Sequence, residues 1–281
     1  MRKSILFTAT TAILLYSMAA CTRGKKSNDV PVENTQAGIA APDYKLLNLP
    51  TIDLTSFAKD VDGWITIFDG ESFDGWRGYN KTVVPALWTI EDDAVKFNGT
   101  GSGVQDSEGG DILFAHTFKN FEFEFEWKVA KGSSASVFFY IQEVEDQPAC
   151  FSAPKYQILD NENHPDAKSG KNGNRMSASL YDMMPAKPQN AKPSGEWNKG
   201  KIHCFKGTVA HYQNDEPVVE YHLWTSQWRE MLSNSKFSKD KCPLAYELLT
   251  NCGGNNQEGF IGLQGQGGNV WFRNMKVKTL Y

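Results

Sequence analysis

A run of polar side chains that could do chemistry ends an alternating apolar segment at residues 153–166, APKYQILDNENHPD. It brings carboxylate, amide and imidazole groups together at Gln157, Asp160, Asn161, Glu162, Asn163, His164 and Asp166. Groups of these types carry out proton transfer. Because loops at the ends of sheets commonly carry function, we expect this stretch to lie on the rim of a site. An alternative for residues 160–164 is a calcium-ordered or Asx-turn loop, since Asp and Asn favour turns by themselves.

The elements that must position this stretch are strands, because apolar residues recur at every second position along much of the chain. In residues 120–129, NFEFEFEWKV, aromatic and Val side chains face one way and charged side chains the other. Similar segments, separated by Gly- and Asn-rich turns, lie at 64–69, 94–98, 135–143, 155–160, 201–205, 218–225, 259–264 and 270–278. Residues 225–237 have helical spacing instead. We predict an all-β, two-sheet β-sandwich of jelly-roll type with one short surface helix.

The same alternation predicts which side chains point away from the core. The outward set is Tyr140, Gln142, Lys155, Gln157, His222, Trp224 and Gln264. It mixes aromatic rings with amides and a cation, which is chemistry that holds sugars by ring stacking and hydrogen bonds. Trp224 is the best candidate for stacking. Each position alone is also consistent with an ordinary exposed strand residue, and His222 with a histidine satisfied by backbone groups.

The amino terminus has the order of a secretory signal. Arg2 and Lys3 precede an apolar stretch at 5–16, and small residues follow directly before Cys21. This arrangement resembles the bacterial lipobox, in which the cysteine is lipidated; an ordinary signal peptide is the alternative. We predict a lipoprotein signal peptide at 1–20, a lipidated Cys21 with a flexible stalk at 21–50, and a single β-sandwich domain at 51–281. The expected location is the cell envelope, on the periplasmic side or the outer-membrane surface.

Composition argues against a nucleic-acid partner and leaves the pairing of the cysteines open. The chain has 29 Lys and Arg against 33 Asp and Glu, a net charge of -4, and no basic stripe, so nucleic acid is not an expected partner. Besides Cys21 there are cysteines at 150, 204, 242 and 252, which allow three pairings; Cys242 with Cys252 could close a short loop. None has metal-ligand spacing of the CxxC kind, so the cysteines do not predict a metal site.

A series of short motifs spans residues 60–281. They are GWITIFDG at 63–70 with FDGW at 73–76, YQILD at 156–160, SLYD at 179–182, KPQNAKP at 187–193, GEWN at 195–198, GLQ at 262–264 and VWFRNMK at 270–276. In this order they resemble the 3-keto-disaccharide hydrolase family, formerly a domain of unknown function. The resemblance implies a concanavalin A-like β-sandwich and a role in bacterial glycan breakdown.

The chemistry that the resemblance implies is elimination. Once a separate glycoside 3-oxidoreductase has oxidised the C3 hydroxyl of a glycoside, the neighbouring C2 hydrogen becomes acidic. A base can remove it, the aglycone leaves from C1, and water then adds across the new double bond. Such a site needs a base near C2, an electrophile on the C3 oxygen and an acid for the leaving group.

The residues of the opening stretch and the outward set supply these roles. The catalytic candidates are His164 and Asp160 for proton transfer, with Glu162 as an alternative. Lys155 is the candidate for the enolate oxygen, with Arg175 or a divalent cation as further candidates for that oxygen. The substrate-binding candidates are Tyr140, Gln142, Gln157, Glu162, Arg175, Tyr181, His222, Trp224 and Gln264. The family usually has an acidic residue where Lys155 precedes Tyr156. Two interpretations stay open: a lipid-anchored enzyme that cleaves 3-keto-glycosides, and a lipid-anchored carbohydrate-binding protein without turnover.

Overall fold

The computed structural model describes residues 42–99 and 110–281. The predicted signal peptide, Cys21 and most of the predicted stalk lie outside the described residues. The described strands are β1 (Ile65–Thr66), β2 (Trp76–Gly78), β3 (Trp88–Glu91), β4 (Ala94–Asn98), β5 (Ile112–Phe118), β6 (Phe121–Val129), β7 (Ser134–Ile141), β8 (Lys155–Leu159), β9 (Asn198–Phe205), β10 (Thr208–Gln213), β11 (Glu216–His222), β12 (Gly259–Gln266) and β13 (Asn269–Thr279).

These strands form two antiparallel sheets. One has the order β11-β10-β9-β6-β13-β4-β3, with β1 paired to β13, and the other has the order β2-β5-β12-β7-β8. Every segment that we predicted as a strand overlaps an observed one. The prediction of an all-β, two-sheet sandwich is therefore confirmed.

The core between the sheets is aromatic. Strand β6 contributes Phe121, Phe123, Phe125 and Trp127, all at most 2% exposed, as its alternation predicts. Full burial of one such side chain contributes roughly 2–3 kcal/mol before entropy is counted. A second, smaller apolar cluster, which includes Leu113 and Phe138, lies on the other, outer face of the five-stranded sheet. The outer face of the five-stranded sheet is therefore also partly buried.

Tyr140 is a correction to the predicted outward set. It has a φ of +57°, and the pairing of β7 with β12 shifts register at this point, so that alternation breaks there. Its ring is buried in the main core beside Phe121 and Phe139, and its hydroxyl donates to the carbonyl of Lys119. Tyr140 is therefore a core residue and does not face an outer surface.

Two short helices follow β11. Helix α1 (Ser226–Ser233) lies within the predicted helical segment and begins at Thr225, whose side chain accepts the Trp228 N–H. Helix α2 (Pro243–Thr250), which begins with a proline, was not predicted. Cys252 after it is a free thiol, so the loop-closing Cys242–Cys252 disulfide is not formed.

The described chain contacts the sandwich before the predicted start of the domain at 51. Lys45 pairs with Glu145, and Leu46 forms a bridge with Val144. Residues 45–50 therefore belong to the folded unit. Within the described residues, no helix is both long and apolar enough to cross a membrane.

Candidate functional site

Strand β8 forms the edge of the five-stranded sheet, and a returning segment pairs with it. Tyr156 and Ile158 enter the core, so Lys155 and Gln157 face the outer side. The chain then runs back along β8. The backbone N–H of Gln157 donates to the carbonyl of Ser179, and the backbone N–H of Tyr181 donates to the carbonyl of Lys155. This pairing places the Tyr181 side chain beside that of Lys155.

Lys155 is the central cation of the site. Its side chain is buried, at 6% exposure, and Nζ donates to Oε1 of Gln264 at 3.0 Å. Nζ also lies 4.2 Å from the centre of the Tyr181 ring, a cation–π contact. A neutral amide and a ring face therefore contact this amino group, and the carboxylates of Asp111 and Asp166 act on it electrostatically.

This environment changes the acid–base chemistry of Lys155. Burial, together with the nearby Lys236 ammonium group, lowers the pKa of Lys155 to about 8. An amino group with such a pKa is partly neutral near physiological pH, so it can act as a nucleophile or base as well as a cation. A perturbed pKa on an outer sheet face marks a candidate active site.

An ion-pair network holds Tyr181 in this position. Arg175 donates from Nε to Asp182 at 2.6 Å and from Nη1 to Asp166 at 2.8 Å. The Tyr181 hydroxyl donates to the other oxygen of Asp166 at 2.8 Å. Burial favours a higher pKa for Asp166, but hydrogen bonds from Ser169, Tyr181 and Arg175 outweigh it and lower that pKa. Asp166 is therefore an ionised carboxylate between a cation and a phenol.

Lys236 is a functional candidate that the sequence did not indicate. Its Nζ lies 4.5 Å from the centre of the Tyr181 ring, and its backbone N–H donates to Asp182. Lys236 comes from the segment after α1, far from Lys155 in sequence, so no local pattern could reveal it. Asp166 and Asp182 were also missed as site residues, although Asp166 lies in the stretch 153–166 and Asp182 ends the SLYD motif.

His164 lies near Lys155 with its ring fixed. Its Nδ1 accepts the backbone N–H of Asp166 at 3.1 Å. The neutral ring therefore carries its proton on Nε2. Burial lowers the pKa of His164 against the opposing effect of Asp166 and Asp160. His164 is thus arranged to donate a hydrogen bond from Nε2, and action as a base would require loss of its bond to Asp166.

Asp160 forms an Asx turn, the alternative raised from the sequence. Its Oδ1 accepts the backbone N–H groups of Glu162 and Asn163, and its Oδ2 accepts from Gly132 and from the Asn163 amide. Burial favours a higher pKa for Asp160, but these hydrogen bonds lower it. The carboxylate shapes the loop that carries His164.

Two of the three predicted glutamines, Gln157 and Gln264, lie near Lys155, and Gln142 does not. Ser136 pairs with Gln157 on one side and with Gln264 on the other, so both glutamines lie in one row on the outer face near Lys155. Gln157 is fully buried, whereas Gln264 is partly exposed. Gln142 lies beyond the end of β7, where its backbone exchanges hydrogen bonds with Ser152.

The remaining predicted residues do not contact Lys155. Glu162 has an exposed side chain on the Asx-turn loop. His222 is exposed on the edge strand of the eight-stranded sheet and hydrogen-bonds to Thr208. Trp224 lies against Tyr140, and its Nε1 donates to the carbonyl of Cys252. The structure thus brings together Lys155, Gln157, His164, Arg175, Tyr181 and Gln264.

A groove elsewhere on the surface is lined by other residues. A groove of about 640 Å³ lies on the outer face of the eight-stranded sheet, but none of the predicted site residues lines it, and charges there pair with each other, as Lys276 does with Glu124. Among residues 42–99 and 110–281, no group of three His, Cys, Asp or Glu side chains is arranged to hold a metal ion. The divalent cation considered from the sequence stays a prediction.

Solved structures share this fold. A crystal structure of a proposed glycosyl hydrolase from Parabacteroides distasonis has a TM-score of 0.65 and 24% identity, over 78% of this chain and 95% of that one. A second from the same organism has a TM-score of 0.58 and 24% identity, over 77% of this chain and 99% of that one. At these identities the likeness establishes the class of fold, a β-sandwich.

The sequence comparisons define the family. Residues 63–278 match the 3-keto-alpha-glucoside-1,2-lyase-like domain. A 3-keto-disaccharide hydrolase from Bacteroides thetaiotaomicron is 54% identical over 288 aligned residues, which cover 99% of both chains. The chain belongs to the family of 3-keto-alpha-glucoside-1,2-lyase-like domains, and the resemblance found from its motifs is confirmed.

Proposed function

We propose that this protein is a glycoside hydrolase that cleaves 3-keto-glycosides. The observation that carries the proposal is the buried Lys155 amino group on the outer face of the five-stranded sheet, bonded to Gln264 and facing Tyr181. A ketone oxygen needs an electrophilic partner when charge develops on it, and the ammonium form of a desolvated lysine is a strong one. Membership of the family and the activity named for the Bacteroides relative agree with this reaction.

The proposed reaction is an elimination followed by hydration. Lys155 engages the C3 carbonyl, a base removes the C2 proton, and the electron pair expels the aglycone from C1. Addition of water at C1 and return of a proton to C2 complete net hydrolysis. Gln264 and Gln157 lie in one row beside Lys155, and we assign to Gln264, which is partly exposed, a hydrogen bond to a sugar hydroxyl.

His164 has the hydrogen-bonding pattern of a donor in this scheme. With Nδ1 accepting from Asp166, Nε2–H is directed to another acceptor. We therefore assign to His164 a hydrogen bond to the leaving-group oxygen or to a sugar hydroxyl without transfer of its proton, and not abstraction of the C2 proton.

The proposed substrate requires an earlier oxidation step. A 3-keto-glycoside must come from a separate oxidoreductase that acts on the C3 hydroxyl, so we propose such an enzyme as the upstream partner. We further propose that Cys21 is lipidated and holds the domain in the cell envelope. Substitution of Cys21 by Ser should release the protein from the membrane fraction.

The test of this function compares each ketosugar with its unoxidised parent. We expect the full chain to release monosaccharide from 3-keto-trehalose and to leave trehalose intact, because the C2 hydrogen of trehalose is not acidic. Product can be followed by NMR. Equal cleavage of both sugars would indicate an ordinary glycosidase mechanism and contradict the proposal.

Binding of carbohydrate without turnover is a second candidate. The observation that favours it is that the nearby carboxylates Asp160 and Asp166 are both engaged by several hydrogen bonds, which weakens them as bases. In that case resonances of 3-keto-trehalose would broaden on addition of the protein while its concentration stayed constant.

Asp160 offers a prediction that separates structure from catalysis. Asp160→Asn replaces one acceptor oxygen by an amide that meets two donors, so we expect a loss of about 1–3 kcal/mol in the free energy of unfolding. The kcat of the folded variant should stay within about threefold of wild type, whereas loss of a proton-transfer group would lower it by roughly 10²–10⁴-fold. A matched control is Asp60→Asn, at an exposed Asx turn.

A further inference from the structure

We propose that the amino group of Lys155 attacks the C3 carbonyl and forms an iminium ion, so that Lys155 is a covalent catalyst. The inference rests on the function proposed above, since it requires a ketone as substrate. It assigns to Lys155 a bond to the sugar carbon in place of a hydrogen bond to the ketone oxygen.

The geometry around Nζ favours a nucleophilic amine. Its hydrogen-bond partner is the neutral amide of Gln264 at 3.0 Å, and one side is closed by the Tyr181 ring at 4.2 Å. The Nζ of Lys236 lies 4.5 Å from the same ring, so a second cation opposes protonation of Lys155. A desolvated lysine beside another cation is the arrangement that activates an amine for attack on a carbonyl.

The acid–base state of Lys155 is compatible with this role. Its pKa is lowered to about 8, chiefly by burial and then by Lys236. The charged and titratable groups that influence this pKa are Lys236, Cys150, Asp111 and Asp166. Lys155 in turn helps to lower the pKa of the nearby His164. A fraction of the amine is therefore neutral at pH 7–8, which is the form that attacks.

The weakness of the nearby base also favours an iminium ion. Asp166 accepts from Arg175, Ser169 and Tyr181, which keeps it ionised but poorly basic. Such a carboxylate removes a proton next to a neutral ketone slowly. An iminium ion carries a full positive charge beside C2 and makes the same proton far more acidic, so a weak base is sufficient.

Formation of the imine and cleavage of the glycoside balance as follows. The Nζ lone pair adds to C3, the carbonyl oxygen takes one proton from Nζ and one from solvent and leaves as water, and a C3=N⁺–H bond results. Asp166 takes the C2 proton, and the C–H electron pair forms C2=C3 while the C=N electrons move to nitrogen. The nitrogen pair then returns to C3, C1=C2 forms, and the C1–O bond breaks. The departing oxygen takes the proton from Asp166.

The return steps regenerate the enzyme. One water adds to C1 of the conjugated iminium ion, and C2 regains a proton. A second water hydrolyses C3=N⁺, which restores the ketone and the free amine of Lys155 and returns one proton to solvent. One water leaves and two enter, so the net reaction consumes one water, as hydrolysis requires.

The test traps the iminium ion by reduction. We would incubate the full chain in detergent with 3-keto-trehalose and sodium cyanoborohydride, which reduces iminium ions in preference to ketones, and analyse peptides by mass spectrometry. 3-Keto-trehalose has no free aldehyde, because both anomeric carbons are in the glycosidic bond. Before cleavage, the C3 ketone is therefore its sole carbonyl group. We expect loss of activity that needs both reagents, and the mass of the sugar less one oxygen on Lys155. Lys155→Arg keeps the charge but cannot form the adduct, and its turnover should fall by about 10³-fold.

The outcomes separate the imine from the proposed function. Cleavage of the sugar with undiminished activity and no adduct on Lys155 would overturn the imine while the hydrolase stands. An adduct without cleavage would support the imine and overturn hydrolysis. Neither adduct nor cleavage would overturn both. The adduct is measured on the wild-type chain, so this result does not depend on the folding of a variant.

Discussion

Lys155→Met should lower kcat/KM for a 3-keto-disaccharide by on the order of 10³-fold, the largest functional effect that we expect from one substitution. The reason is that Met fills a similar space but removes the Lys155 amino group, which contacts both the Tyr181 ring and Gln264. Steady-state rates of sugar release measure the effect. A matched control is Lys201→Met, on the outer face of the other sheet, which should leave the rate unchanged.

The same variant should gain stability at neutral pH. The pKa of Lys155 is about 8 in the folded state and 10.5 without burial, so the unfolded chain binds more protons between these values. The free energy of unfolding of the wild type therefore rises as pH increases from about 8 to 10.5, by about 3 kcal/mol from this group. Lys155→Met should lack that rise. A variant that loses both activity and stability would show that Lys155 is a structural cation.

Glu143→Gln should lower the free energy of unfolding by about 3–5 kcal/mol, the largest effect on stability. Glu143 binds both terminal nitrogens of Arg77 at 2.6 Å, with side-chain exposures of 1% and 6%. Loss of the carboxylate charge leaves the buried guanidinium without its counterion. Thermal unfolding should occur roughly 10 °C lower than in the wild type.

The control lies two residues away. Glu145 pairs with Lys45 at 2.7 Å, but these side chains are 43% and 68% exposed. Glu145→Gln should therefore change the free energy of unfolding by less than about 1 kcal/mol. Similar shifts in the two variants would mean that burial does not govern the strength of the Arg77–Glu143 pair.

The sandwich could be predicted where one face of a strand is buried. Strand β6 alternates cleanly because its charged side chains face solvent. Strand β5 was missed because both of its faces are buried: Ile112 and Phe114 enter the main core, and Leu113 and Ala115 enter the outer cluster. A strand of that kind has no period of two in hydrophobicity.

The site could be predicted in part. Alternation along β8 and β12 placed Lys155, Gln157 and Gln264 on one face, as the structure has them. It failed at Tyr140, where a bulge reverses the side-chain direction. Lys236 could not be predicted, since its approach to Tyr181 depends on the path of the chain after α1.

The most direct test of the central claim is cleavage of 3-keto-trehalose in deuterated water, followed by NMR of the released ketosugar. Elimination removes the C2 proton and returns a solvent proton, so we predict one deuterium at C2 in each product molecule at early times, before exchange in solution. Lys155→Met should give neither product nor deuterium. Rapid cleavage with protium retained at C2 would contradict elimination and the role assigned to Lys155.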